Sequence, residues 1–285
     1  YNSDMVLYFI SNYLPLRSAP DKMIDNNIRT DYNKLRHLIR LDKRFGTNAS
    51  IIQEIVNNGE TTAVIKDAFP AEDIAKPDNF KSLLYYFGLL SIKGTKRGDT
   101  LLGVPNLTVR EQLYTYLIEA YREADVFSIE LYKLHDLVKD MAYDGDWKPV
   151  FEYFSSELER QSAIREFIEG EAHVKGFLLA YLGLTRTYII YPEYDEANKG
   201  YADFYMMPDL IHQPEIGFSY IVEVKYARRD ASETEIEALR AEAAIQLRCY
   251  AADPKVHATK GDTELRLVTL VFKGWKLAVC EMDLA

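Results

Sequence analysis

The sequence predicts an α/β (α+β) protein: a helical N-terminal domain, then a mixed sheet flanked by helices. Three observations carry this prediction. The 285 residues are about twice the roughly 150 typical of one domain, so two cores are expected. Tyr143-Asp-Gly-Asp146 breaks the helical patterns on both sides and reads as a linker, giving domains 1–143 and 144–285. Beyond the linker the apolar period changes, and the order becomes helix, three strands, helix, two strands.

Residues 1–100 read mainly as short helices. Asp31 can cap a segment whose Leu35, Leu38, Ile39 and Leu41 form one apolar face. Ser50 can cap Ile51–Val56, and Asn57-Asn58-Gly59 closes that helix with residues that tolerate positive φ. Asn79–Phe87 suits a buried helix ended by Gly88. Leu89–Ile92 and Thr100–Val104, around the basic turn Lys93–Gly98, resemble the wing of a winged-helix module, so the N-terminal domain is expected to be winged-helix-like. Leu107–Val126 is a strong helix with Leu113, Tyr116, Leu117, Ala120 and Tyr121 on one stripe. In the C-terminal half a long helix is expected over Lys148–Leu182, then strands at Thr187–Tyr191, Tyr201–Met207 and Phe218–Tyr226. A helix follows at Ser232–Ala252, and Leu265–Phe272 and Trp275–Met282 form a hairpin around Lys273-Gly274.

The net charge of −10 excludes a generally basic nucleic-acid coat or a polybasic membrane anchor. Residues 1–140 carry 18 basic and 19 acidic side chains and residues 141–285 carry 16 and 25, so the acidity sits in the second half. Two cysteines, Cys249 and Cys280, provide neither a disulfide framework nor zinc-ligand spacing, although one bridge is still allowed. This usage suits a cytoplasmic location. No apolar run approaches the roughly 18 residues that span a bilayer, so no membrane partner is expected. The chain opens at Tyr1 without a basic leader and reads as a piece of a longer protein.

The chemistry concentrates on two strands. In Tyr220-Ile-Val-Glu-Val-Lys-Tyr226 the residues Ile221, Glu223 and Lys225 share one face. Asp203 interrupts the apolar run before it, and an adjacent antiparallel strand places it beside Glu223. Like charges directly opposite are destabilising. Two such carboxylates, with no basic neutraliser evident except Lys225, make an oxygen-rich site for a hard cation. On residues alone, each of these positions also fits a half-exposed strand facing water. Glu171 beside the stripe Phe167, Val174, Phe177, Leu178 and Tyr181 also fits an ordinary boundary charge. Gln246 follows Leu239 and Ala243 and precedes Tyr250 at spacings 4, 3 and 4, so it points with the buried face of its helix and needs a polar partner.

Taken together, Glu171, Gly200-Tyr-Ala-Asp203, Ile221-Val-Glu223-Val-Lys225 and Ala243-Ala-Ile-Gln246-Leu-Arg-Cys-Tyr250 resemble the PD-(D/E)XK nuclease superfamily over 151–284. The closer resemblance is to bacterial proteins in which such a domain follows an AAA-ATPase-like region. Gly46-Thr-Asn48 and Asn79–Ile92 are similar to the helical end of that region, over much of 1–110. The resemblance implies a restriction-endonuclease-like mixed sheet and a Mg²⁺- or Mn²⁺-dependent nuclease acting on nucleic acid, with DNA as the expected substrate. It implies metal held by Asp203, Glu223 and the Val224 backbone carbonyl, with Glu171 acting through water. Lys225 would orient water or stabilise charge on the phosphate, and Gln246 would position Lys225 or a phosphate oxygen. The family's proline–aspartate pair is here Ala202-Asp203, which leaves the carboxylate in place, and Glu193 matches an acid found at that place.

No Gly-x-x-x-x-Gly-Lys-Ser/Thr occurs, so the nucleotide-binding part of the ATPase-like region is expected before Tyr1, and no ATPase activity from these residues. Homo-oligomers are compatible with the pattern. A second expectation, from a different class, is a nuclease-fold regulatory or nucleic-acid-binding module that does not cut and serves that ATPase. The acidity of the second half favours it, because tight DNA binding then depends on a metal and on the basic groups Lys34–Arg44 and Lys93–Arg97. The five histidines, His37, His135, His173, His212 and His257, show no paired ligand spacing.

Overall fold

The computed structural model describes residues 3–20, 47–68, 70, 73, 76–161, 167–194 and 202–285. It divides into two compact units, residues 1–55 with 60–124 and residues 56–59 with 125–285. The expected helix around Leu35–Leu41, the basic group Lys34–Arg44, and Gly46, Gly200 and Tyr201 lie outside the described residues.

The first unit begins with α1 (Ser3–Leu16) and α2 (Thr47–Asn58), the latter running on past Ile55. It continues with β1 (Glu60–Ala63), α3 (Pro77–Tyr86), β2 (Ser91–Lys96), β3 (Asp99–Gly103) and α4 (Leu107–Glu123). Pro77 opens α3, where its missing N–H is no loss. Asn106 caps α4 by accepting from Val109 N at 2.9 Å. The three strands pair antiparallel in the order β1-β3-β2. The wing-like hairpin is present, but its turn narrows to Arg97-Gly98, both at positive φ (54° and 94°). Lys93, Lys96 and Arg97 are exposed along it.

The second unit contains α5 (Leu131–Tyr143), α6 (Lys148–Arg160), α7 (Glu171–Gly183), β4 (Tyr188–Tyr194), β5 (Ala202–Pro208) and β6 (Phe218–Ala227). α8 (Glu233–Ala251), α9 (Pro254–Thr259), β7 (Glu264–Lys273) and β8 (Lys276–Leu284) complete it. α5 lies upstream of the Tyr143–Asp146 linker yet belongs to this unit. It buries Leu134, Val138, Met141 and Ala142, and Tyr220 donates to Met141 O at 2.8 Å.

The long helix expected over Lys148–Leu182 is broken. α6 ends where Gln161 turns extended (φ −91°, ψ 106°) and its side chain both accepts from Ser128 N (2.9 Å) and donates to Ser128 O (2.8 Å). These two bonds pin the helix end. Gly170, a poor helix former, is extended where α7 begins.

The sheet order is β4-β5-β6-β7-β8, with β6 and β7 parallel and every other pair antiparallel. A parallel neighbour requires a crossover, supplied by α8 and α9. Ser232 and Glu235 form a capping box at the start of α8. Tyr205, Ile221 and Leu267 present one sheet face to Leu247 and Tyr250 of α8. Further along, Ala227 and Val271 meet Ile236 and Leu239. α7 packs against β4 and β6.

Candidate active site

The site forms where the ladder between β5 and β6 ends. Main-chain pairing runs through Met206↔Tyr220, Tyr205↔Ile221 and Phe204↔Val222 and goes no further among the described residues. Side chains take over from there. Asp203 N donates to Glu223 Oε2 at 3.2 Å, and Val224 N donates to Asp203 Oδ2 at 2.7 Å. Each acid is therefore fixed by the other strand's backbone, so the two carboxylates are held side by side. By the pleat they share the face carrying Tyr205 and Ile221, which α8 covers.

Two lysines close the arrangement. Lys225, two residues after Glu223 on the same face, reaches Glu223 Oε1 at 3.0 Å and Glu242 Oε1 of α8 at 3.1 Å. Lys175 of α7 reaches Asp203 Oδ1 at 3.1 Å. Asp203, Glu223, Lys225 and Lys175 are only 7%, 2%, 8% and 6% exposed, which charged groups tolerate only when paired. Glu171 stands one helical turn before Lys175, half-buried, and Asp203, Lys225, Lys175 and Glu242 all act on it electrostatically. Sequence reading left Lys225 as the sole basic neutraliser; the structure corrects this with Lys175. It also places Glu242 on Lys225. Gln246, on the same helix, is half-buried with its Oε1 enclosed and without a hydrogen-bond partner.

The electrostatics follow from crowding acids out of water. Burial and the neighbouring Asp203 carboxylate push Glu223 up to about 7. Burial, then Asp203, also raises Glu171 above the ordinary carboxylate value. Burial opposes the Lys225 ammonium, but Glu223 and Glu242 outweigh it and hold its pKa above the usual lysine value.

Counted as ionised, Asp203, Glu223, Glu171 and Glu242 against Lys175 and Lys225 leave an excess of two negative charges. An all-oxygen donor set with that excess fits a hard divalent cation. Among the described residues no three acidic, histidine or cysteine side chains are grouped to hold a metal. The ammoniums of Lys175 and Lys225 sit on Asp203 Oδ1 and Glu223 Oε1, the oxygens that would otherwise be available. The Glu193 side chain lies outside the described residues.

No helix among the described residues is long and apolar enough to cross a membrane. A comparison with curated proteins gave no match. Residues 169–282 match the family model described as PD-(D/E)XK nuclease superfamily. That stretch spans Glu171 to Glu242 and holds the mixed sheet and its crossover helix. The five-stranded mixed sheet flanked by helices is consistent with the restriction-endonuclease-like fold of that superfamily.

Proposed function

We propose that this protein is a divalent-metal-dependent nuclease that hydrolyses phosphodiester bonds, with DNA as its substrate. The observation that carries the reading is the exchange of bonds between Asp203 and Glu223, which confines two repelling carboxylates beside a buried lysine. A nuclease-superfamily domain implies a nucleic-acid substrate. Asp203, Glu223 and the Val224 carbonyl would hold Mg²⁺ or Mn²⁺, with Glu171 acting through water. Bound there, the ion would supply a Lewis acid and a water of lowered pKa.

The protein's own groups do the rest. Glu223, ionised above about pH 7, contributes negative charge to the ion site. Lys225 is a compact, fully charged donor between Glu223 and Glu242, suited to stabilising charge that develops on a phosphate oxygen. Gln246 Oε1, enclosed and unpartnered, is available to accept from a displaced Lys225 or from bound water.

The wider reading treats residues 1–143 as the helical C-terminal part of an AAA-ATPase-like region. It takes the protein to be cytoplasmic, in keeping with free cysteines at Cys249 and Cys280, and able to form homo-oligomers. One observation favours a second reading, a nucleic-acid-binding module that does not cut: both central acids already carry lysine partners. Incubation with DNA and RNA in Mg²⁺ or Mn²⁺ separates the two. Cleavage that Asp203→Ala abolishes supports the nuclease; binding without metal-activated cleavage supports the module. Cleavage untouched by Asp203→Ala would remove the assignment.

A further inference from the structure

The Lys175–Asp203 pair is buried, as is Lys225–Glu223, and both differ from the exposed ion pairs of the second unit. Arg240–Glu281 and Arg248–Asp283 are 40–71% exposed at their side chains, whereas Lys175 and Asp203 are 7% and 10% exposed. Exposed pairs contribute little to stability, and a lysine seldom enters a core to make one. A hydrophobic residue at position 175 would continue the apolar stripe of α7, where every other residue from Val174 to Gly183 is buried and uncharged. Instead α7 spends that position on an ammonium 3.1 Å from Asp203 Oδ1. Lys225 is disposed in the same way on Glu223. The two lysines thus occupy one oxygen of each acid.

We propose that Lys175 is a second active-site lysine. It holds Asp203 while the site is free of metal, gives up that oxygen to an arriving divalent cation, and then binds a phosphate oxygen of the nucleic acid. This rests on the nuclease reading above. The four-methylene stem lets the ammonium swing by several ångströms without moving α7. With Lys225 on β6, a phosphate at the acids meets one lysine from the helix and one from the sheet.

The test uses the full chain, Mn²⁺ and a phosphorothioate-substituted DNA strand. Calorimetry should show Lys175→Met binding Mn²⁺ about tenfold more tightly than the wild type, because a competing charge beside the ion has gone. The same variant should bind the strand in Mn²⁺ more weakly, with the salt dependence reduced by about one phosphate contact. A lysine with only a structural role would leave Mn²⁺ affinity unchanged or weaken it, and either result overturns the proposal. Lysine acetylation read by mass spectrometry on the wild-type chain does not depend on the variant folding: reactivity at Lys175 should rise severalfold when Mn²⁺ is added. No change, or a fall, overturns the proposal. Wild-type chain that fails to bind Mn²⁺, or Asp203→Asn that binds it equally well, sinks the nuclease reading and this inference together. Mn²⁺ binding lost in Asp203→Asn but unaltered in Lys175→Met sinks this inference alone.

Discussion

Replacing Glu223 by glutamine should stabilise the metal-free protein at neutral and alkaline pH. The Glu223 carboxyl sits in the core beside Asp203, and its pKa rises from 4.5 to about 7. Between those values the folded chain keeps a proton that the unfolded chain has released, so stability falls as pH rises across the window and levels off above it. At about 1.4 kcal/mol per pH unit, the gap amounts to roughly 3 kcal/mol. Glutamine keeps the shape and an oxygen for the Asp203 N–H without ionising. Glu223→Gln should therefore match the wild type near pH 4 and exceed it by up to roughly 3 kcal/mol at pH 8. The assay is urea denaturation in a chelator, followed by tryptophan fluorescence. Both tryptophans, Trp147 and Trp275, lie in the second unit, so the signal reports the unit that holds the site. An advantage that is the same at every pH, or a variant weaker than the wild type at pH 8, would refute the claim that Glu223 is held protonated by burial beside Asp203. Saturating Mn²⁺ should reverse the order, since an ion at 1,000 times its Kd adds about 4.1 kcal/mol to the chain that binds it.

Metal-activated cleavage should rise with pH through about 7, as Glu223 loses its proton; a flat profile from pH 5 to 9 by gel assay would contradict this. Lys225→Ala should lower cleavage by about 10²–10³-fold while Mn²⁺ binding by calorimetry persists. Gly274→Ala should lower stability by about 1–2 kcal/mol in urea, because φ is +62° and a new Cβ meets Arg229 Cγ at 2.8 Å. Leu247→Ala, which empties a 2%-exposed position of α8 beneath the site, should cost about 2–5 kcal/mol in the same assay.

The sheet unit was legible in the sequence because its strands are β-branched and aromatic and are bounded by turns. β5 and β6 fall within a residue of the expected Tyr201–Met207 and Phe218–Tyr226. Asp203 and Glu223 stood out because each interrupts an apolar run. β1 was missed because Glu-Thr-Thr-Ala is too short to show a period, and it forms by pairing with β3. The break between α6 and α7 depends on Gln161 reaching back to Ser128, a bond across 33 residues that no local pattern reveals. Lys175 escaped notice for a similar reason. Its partner lies in another layer, and the only local signal was its i, i+4 spacing from Glu171 along an apolar helix. Glu242 was hidden among the other glutamates of α8, Glu233, Glu235 and Glu237.

Crystals soaked in Mn²⁺ and measured for its anomalous scattering address the account at its centre. It predicts one strong peak within coordination distance of both Asp203 and Glu223, absent from Asp203→Asn. A peak elsewhere with none at that pair, or the same peak in the variant, would contradict it.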